Sequence, residues 1–247
     1  MILHIPHSSV MIPGEVRRKL LLADDELEHE LLRMTDLWTD ELFSGGARES
    51  DTVIVYPVSR LVVDPERFEH DDLMDVKGMG AVYIKTSDGT KLRDKLSYEE
   101  RAALIDEFYR DHHYKLEMAV GRELLKTGCA LIIDCHSFPT MPLPFEDSAM
   151  RRPEICVGID YYHTPPRLGA ECIRLFEQKG YDVAPNTPFK GSLVPSRWYD
   201  TEPLVRSIMI EVRRDLYMDE NTGERLPRFD ILKDELVGIL DELREVG

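Results

Sequence analysis

The apolar run Leu131-Ile132-Ile133 passes directly into Asp134-Cys135-His136-Ser137. That junction narrows the possible folds more than any other stretch. A short apolar run of this kind reads as a buried strand. Its carboxyl end then carries side chains able to hold a metal or a reacting group, and α/β sheets place their sites at such strand ends. Asp134 lies two residues before His136 and is short enough to orient a neighbouring imidazole from behind. On its own, the pattern also describes a histidine that simply closes a strand. Its weight comes from other strand-end stretches with matching chemistry.

Those stretches alternate with helical ones. Strands are expected at Ile2–Ile5, in two runs split by Pro57 over 52–63, at 131–138, 154–159 and 205–212, with a short one at 181–184. Charged segments with leucines at helical spacing predict helices over 14–33, with a break at Asp24-Asp25, and over 34–44. Further helices are expected over 97–126, 165–179 and 229–246. Strands interleaved with helices predict an α/β fold with a mixed, mostly parallel central sheet and helices on both faces. No repeat or linker divides residues 1–247, so the expectation is a single domain. The irregular stretch 69–95, with its Ser87-Asp88-Gly89 turn, is a candidate hairpin or flap over the site.

The charge balance narrows the function. Forty-seven acidic and 31 basic side chains give a net charge of −16, which disfavours nucleic-acid and anionic-membrane partners. No apolar run approaches the ~18 residues of a membrane span, and no signal peptide is recognisable. The four cysteines show no CxxC spacing and read as free thiols. Together these features predict a cytoplasmic protein acting on a small molecule.

The candidate site residues lie at or just beyond strands. His7 follows the Ile2–Ile5 run and a proline. Asp36 and Asp40 are four apart and would share one helix face. Arg60 and Arg67 flank an apolar stretch and suit bidentate binding of a carboxylate, or else a structural ion pair with Asp64 or Glu66. Glu211 lies inside the apolar run VRSIMIEV, where a carboxylate is costly to bury unless it is paired or functional. His112 and His113 lie on a charged helix, a position usual for surface histidines.

The stretches HIPHSS (4–9), TDLWTDELF (35–43), VSRLVVDPERF (58–68), LIIDCHSF (131–138), NTPFKGS (186–192) and IMIEVRRDLYMDE (208–220) resemble, in order, the N-formylglutamate amidohydrolase family, which is related to zinc carboxypeptidases and aspartoacylases. The resemblance implies a zinc-exopeptidase-like fold and a divalent metal, Zn2+. His7 and His136 would be metal ligands. Relatives place a ligand Glu three residues after the first histidine, but here Val10 stands there, so the carboxylate must come from elsewhere. Asp36 is the candidate, with Asp40 and Asp64 as alternatives. The resemblance further implies that Glu211 activates water, that Arg60 and Arg67 hold the substrate carboxylate, and that Lys190 and His113 complete the site. Where the family has Asn before the arginine, this chain has Glu66, whose charge could neutralise Arg67 and weaken an acidic substrate.

The expected chemistry is metal-dependent hydrolysis of the amide of a small N-acyl amino acid. The metal would activate water, and Glu211 would move the proton. Three other readings share these residues. One is a metallo-carboxypeptidase or other acyl-amino-acid hydrolase. Another is a non-catalytic protein that binds a small acid. The third is a serine hydrolase using Ser8, Ser9 or Ser137, although no GxSxG motif is present.

Overall fold

The computed structural model describes residues 1–70 and 72–247. Six strands form one sheet: β1 (Ile2–Ile5), β2 (Thr52–Val55), β3 (Ala130–Phe138), β4 (Ile155–Gly158), β5 (Val183–Pro185) and β6 (Val205–Arg213), in the order β2-β1-β3-β6-β4-β5. Neighbours are parallel except β4 and β6, which pair antiparallel. Strands β1, β3 and β4 are buried at every residue, as strands sandwiched between helical layers must be. The edge strand β2 leaves Val53 and Val55 exposed.

The two faces of the sheet differ along their length. Leu131, Ile133 and Cys135 of β3 and Ile208, Ile210 and Val212 of β6 enter one apolar core. That core is closed by α3 (Thr39–Ser44), α6 (Pro166–Gln178) and α7 (Phe229–Val246). Burying each such side chain stabilises the fold by roughly 1.5–3 kcal/mol. On the other face, Ile2, Ala130, Ile132 and Val205 pack on Leu116, Ala119 and Val120 of α5 (Asp111–Thr127). The same face then continues, by strict alternation, to His4, Asp134, His136 and Glu211. One face is therefore apolar along its length, whereas the other turns polar toward the carboxyl ends of β1, β3 and β6. The cavity opens there.

The long helix expected over 97–126 forms as α4 (Tyr98–Leu104), a π-helical stretch Ile105–Arg110, and α5. Ser97 caps it by accepting from the Glu100 backbone N–H at 3.1 Å, and the Glu100 carboxylate accepts from the Ser97 N–H at 2.9 Å. Gly128, at φ 82, ends it in the left-handed conformation that favours glycine. Helices α1 (Gly14–Arg17) and α2 (Asp24–Met34) are separated at the expected break. Among the described residues, no helix is long and apolar enough to cross a membrane.

Three expectations need correction. Residues 58–63 are turns, not a second strand. They are apolar because Val58, Leu61, Val62 and Val63 fill a separate core with Val16, Leu27, Met79 and Tyr83. Their backbone is satisfied outside any strand ladder, by the Val62 N–H to Ser59 O at 2.8 Å and the Ser59 N–H to Met11 O at 2.8 Å. Helix 34–44 shrinks to α3, because Trp38 adopts φ 69 and the Asp36 N–H donates to His7 O at 3.0 Å. Asp36 thus lies outside the helix and shares no helical face with Asp40. The hairpin around 85–91 exists as an isolated bridge between Lys85 and Lys91, but it is tied to α2. The buried Glu30 carboxylate accepts from the Ser87 backbone N–H and hydroxyl at 2.6 and 2.9 Å. None of the described residues in 69–95 lines the cavity.

Candidate active site

The strand ends bring His7, Asp36 and His136 together, with one potential ligand atom from each lying within 4.8 Å of the others. Each is gripped from behind. His7 Nε2 is 2.9 Å from Asp64 Oδ1. His136 Nδ1 is 3.2 Å from Asp36 Oδ2, and its Nε2 is 3.1 Å from Asp134 Oδ1. Asp36 Oδ1 accepts from Arg214 Nη2 at 2.9 Å, and its Oδ2 accepts from the Ser137 N–H at 3.2 Å. Of the ring nitrogens and carboxylate oxygens of these three residues, His7 Nδ1 is buried without a hydrogen-bond partner among the described residues. It stands 3.7 Å from Asp36 Oδ2, beyond hydrogen-bonding reach.

Glu211 is the register neighbour of His136 across β3 and β6. It lines the same cavity, of about 590 Å³, and its Oε2 is buried without a hydrogen-bond partner among the described residues. Burial, reinforced by the Asp36 and Glu66 carboxylates, pushes its pKa up to about 8, against the pull of His136 and Arg214. Asp36 moves the other way. Burial alone would raise it, but the His136 hydrogen bond and the positive charge of Arg214 hold it well below the carboxylate range. His136 is raised despite burial, because Glu66, Asp134 and Asp36 favour its cation. Asp64 is likewise held low, with Arg60 and His7 outweighing desolvation.

A second histidine pair lies behind this one. His4 Nδ1 is 2.8 Å from Asp134 Oδ1, and its Nε2 is 2.8 Å from His112 Nε2. Burial and the neighbouring His4 push His112 down to about 2. A neutral pair satisfies this geometry when His4 donates to Asp134 and His112 donates to His4. His112 is therefore an interior residue, against its expected surface position.

The other expected residues divide into two groups. Arg67 and Lys190 line the cavity. Among the described residues the Arg67 guanidinium forms no ion pair, and its Nε is buried without a partner. Arg60 also lines the cavity, but donates from Nε and Nη2 to Asp64 Oδ2 at 3.1 and 2.7 Å. The ion pair weighed for Arg60 is therefore present. His113 is not brought to the cavity. Its Nε2 donates to Pro65 O at 2.8 Å, which fastens the loop carrying Glu66 and Arg67. Glu66 does not pair with Arg67. Its Oε2 lies 3.2 Å from His136 Nε2, and its Oε1 is 3.7 Å from His4 Nδ1. Val10 is exposed, and among the described residues Asp36 alone brings a carboxylate near both histidines. Asp40 is absent from the lining.

Two of the three candidate serines are engaged by neighbours. Ser137 Oγ accepts from Tyr217 Oη at 2.8 Å and from Arg214 Nε at 3.3 Å. Ser9 Oγ donates to Pro57 O at 2.9 Å. Sequence reasoning missed Arg214, His4 and Tyr83, whose hydroxyl donates to Asp64 at 2.6 Å. Arg214 lies three residues after Glu211 in a stretch already singled out, so it was within reach. His4 opens the HIPHSS stretch and was equally within reach, whereas Tyr83 carries no local signal.

Fold and site together define an α/β protein with an acidic, histidine-bearing centre at the carboxyl ends of its parallel strands. Residues 1–218 match the family model for N-formylglutamate amidohydrolase, and the chain belongs to that family of amide hydrolases. It is 24% identical over 227 residues to an N-formylglutamate deformylase of Pseudomonas putida, covering 89% of this chain and 82% of the relative. The crystal structure of an N-formylglutamate amidohydrolase from Ralstonia eutropha JMP134 is similar at TM-score 0.83 and 24% identity, covering 99% of this chain and 93% of that one. A gene product of Agrobacterium tumefaciens is similar at TM-score 0.70 and 20% identity, covering 99% and 91%. At these identities the two solved structures speak for the fold alone.

Proposed function

We propose that this chain hydrolyses the amide of N-formyl or other short N-acyl amino acids, releasing a carboxylic acid and an amino acid, with a divalent metal ion held by His7, Asp36 and His136. The observation that carries the reading is the pair of orphaned atoms facing one cavity. His7 Nδ1 is a buried nitrogen with no partner, and Glu211 Oε2 is a buried carboxylate oxygen with none.

The donor set fits a dication. His7 and Asp36 are turned toward His136, while Asp64 and Asp134 sit behind the two imidazoles, the arrangement that orients metal-binding histidines. Charge agrees. Asp36, Glu66, Asp134 and Glu211 line the cavity beside Arg60, Arg67 and Arg214, with Lys190 at the rim, and Asp64 takes up the charge of Arg60. Two nitrogens and one carboxylate suit Zn2+ with an open position. When bound, such an ion polarises the acyl oxygen and makes water acidic near neutral pH.

The chain's own residues carry the rest. Glu211 accepts the proton that water loses as it attacks the acyl carbon, then passes it to the leaving nitrogen. The C–N bond breaks, and carboxylic acid and amine leave. Arg67 anchors the amino-acid carboxylate, which fixes the amide over Glu211. Lys190 faces the same space from the rim. Arg60 supports the site through Asp64, and His113 does so by holding the Pro65 carbonyl.

The test is elemental analysis of protein purified without chelator or metal-affinity resin, together with a fluorescent-amine assay on N-formyl-L-glutamate and other N-formyl and N-acetyl amino acids. About one metal per chain, with amine release that a chelator abolishes, is expected. Amine release that survives complete metal removal overturns the metal half of the reading. A metal-loaded protein that releases no amine from any N-acyl amino acid overturns the other half.

A further inference from the structure

We infer that Ser192 is a specificity-determining residue. Together with Lys190 it receives a carboxylate on the substrate's side chain, while Arg67 holds the carboxylate that every N-acyl amino acid carries. The inference rests on the hydrolytic reading above and adds to it the residues that select an acidic side chain.

The first observation is the state of the cations. Arg60, Arg67, Lys190 and Arg214 line the cavity. Arg60 is paired with Asp64, and Arg214 with Asp36. Arg67 and Lys190 form no ion pair among the described residues. A substrate with a single carboxylate satisfies only one of them.

The second observation is the Ser192 hydroxyl. Ser192 lines the cavity two positions from Lys190, and its Oγ is buried without a hydrogen-bond partner among the described residues. A hydroxyl in that state is unfavourable, and a carboxylate oxygen is a ready acceptor for its proton. The Arg67 end repeats the arrangement, because Arg67 Nε is likewise buried without a partner. Lys190 is exposed, so solvent and salt screen its charge. It adds attraction, and the buried hydroxyl fixes where the carboxylate sits.

The third observation is how the loop is held. Gly191, between the two residues, has φ 79, and its N–H donates to Asn186 Oδ1 at 3.2 Å. Its carbonyl presses on the end of β4, where a Cβ at Gly158 would stand 2.1 Å from Gly191 O. The absence of a side chain at Gly158 is what admits the loop. On the far side, the Leu193 N–H donates to Asp134 Oδ2 at 3.0 Å, and Ser207 Oγ donates to Leu193 O at 2.8 Å. Asp134 is also the carboxylate behind His136. One side chain thus ties Ser192 to the hydrolytic centre and sets the second carboxylate's position relative to the scissile amide.

Glutarate and its monoamide have nearly the same shape and differ in one charge, and their binding needs no turnover. Calorimetric titration of metal-loaded protein should show glutarate binding about tenfold more tightly, the scale of one charge-assisted hydrogen bond. Ser192→Ala removes a hydroxyl that bonds to nothing in the fold. It should leave the unfolding midpoint unchanged and bring the two ligands to within about threefold of each other. Lys190→Met, at an exposed position, should weaken glutarate and leave the monoamide unchanged. Equal binding of the two ligands to the unsubstituted protein, or a preference for glutarate that survives both substitutions, overturns the proposal. If the preference behaves as described but no N-formyl amino acid is hydrolysed, the subsite stands and the hydrolytic reading falls. Equal kcat/KM for N-formyl-L-glutamate and N-formyl-L-glutamine overturns the subsite and leaves the hydrolytic reading intact.

Discussion

Two histidine groups sit back to back across Asp134 of β3, one reaching from β1 to α5 and the other from the turn after β1 to β3. On one side, His4 of β1 has both ring nitrogens engaged, by Asp134 and by His112. On the other, His136 and His7 share Asp36, and one nitrogen of His7 has no partner. Both groups are buried and both are held by carboxylates, so burial and residue type do not separate them. Completion does. A closed network uses up its donors and acceptors and acts as structure, whereas an open one leaves an atom aimed at something yet to bind. Glu211 repeats the point, because its unpartnered oxygen faces the open group.

The sharpest way to break this comparison is to remove a member of the open group. His136→Ala should abolish metal binding and reduce turnover to background, measured by elemental analysis and amine release. Full activity in that variant would falsify the metal assignment. Glu211→Gln should retain the metal and lower kcat by about 100-fold or more, the scale of a lost general base. If the metal leaves as well, Glu211 is a ligand.

The closed group should respond in stability rather than in chemistry. His112→Ala leaves His4 Nε2 buried and unpartnered, which costs roughly 1–3 kcal/mol. A denaturant titration should show that loss at unchanged metal stoichiometry, and metal loss with unchanged stability would reverse the two roles.

The smallest effect is a slope. In chelator-treated protein the Glu211 carboxyl titrates near 8, instead of its ordinary 4.5. Between those values the folded chain binds a proton that the unfolded chain has released. Stability therefore falls as pH rises across that window. Glu211→Gln should flatten the fall, as read from unfolding midpoints at several pH values, and an unchanged slope would place the titrating group elsewhere.

Much of this was legible in the chain itself. The unbroken apolar run into Asp134-Cys135-His136, with the alternation of strands and helices, determined an α/β sheet with a polar strand end. The helix limits at Ser97 and Gly128 were equally readable, because caps act through hydrogen bonds and backbone angles only a few residues apart. Glu211 stood out because a carboxylate inside an apolar strand demands a reason. Only the tertiary structure decided the rest. It showed that residues 58–63 are apolar because they fill a second core, that Asp36 leaves its helix to reach His136, and that His112 is interior while His113 holds a loop. It also turned Glu66 toward the histidines and away from Arg67. Each of these depends on partners tens to more than a hundred residues away. Local sequence records the preference of a residue for strand, helix or burial, but which distant group completes its hydrogen bonds is settled when the sheet assembles.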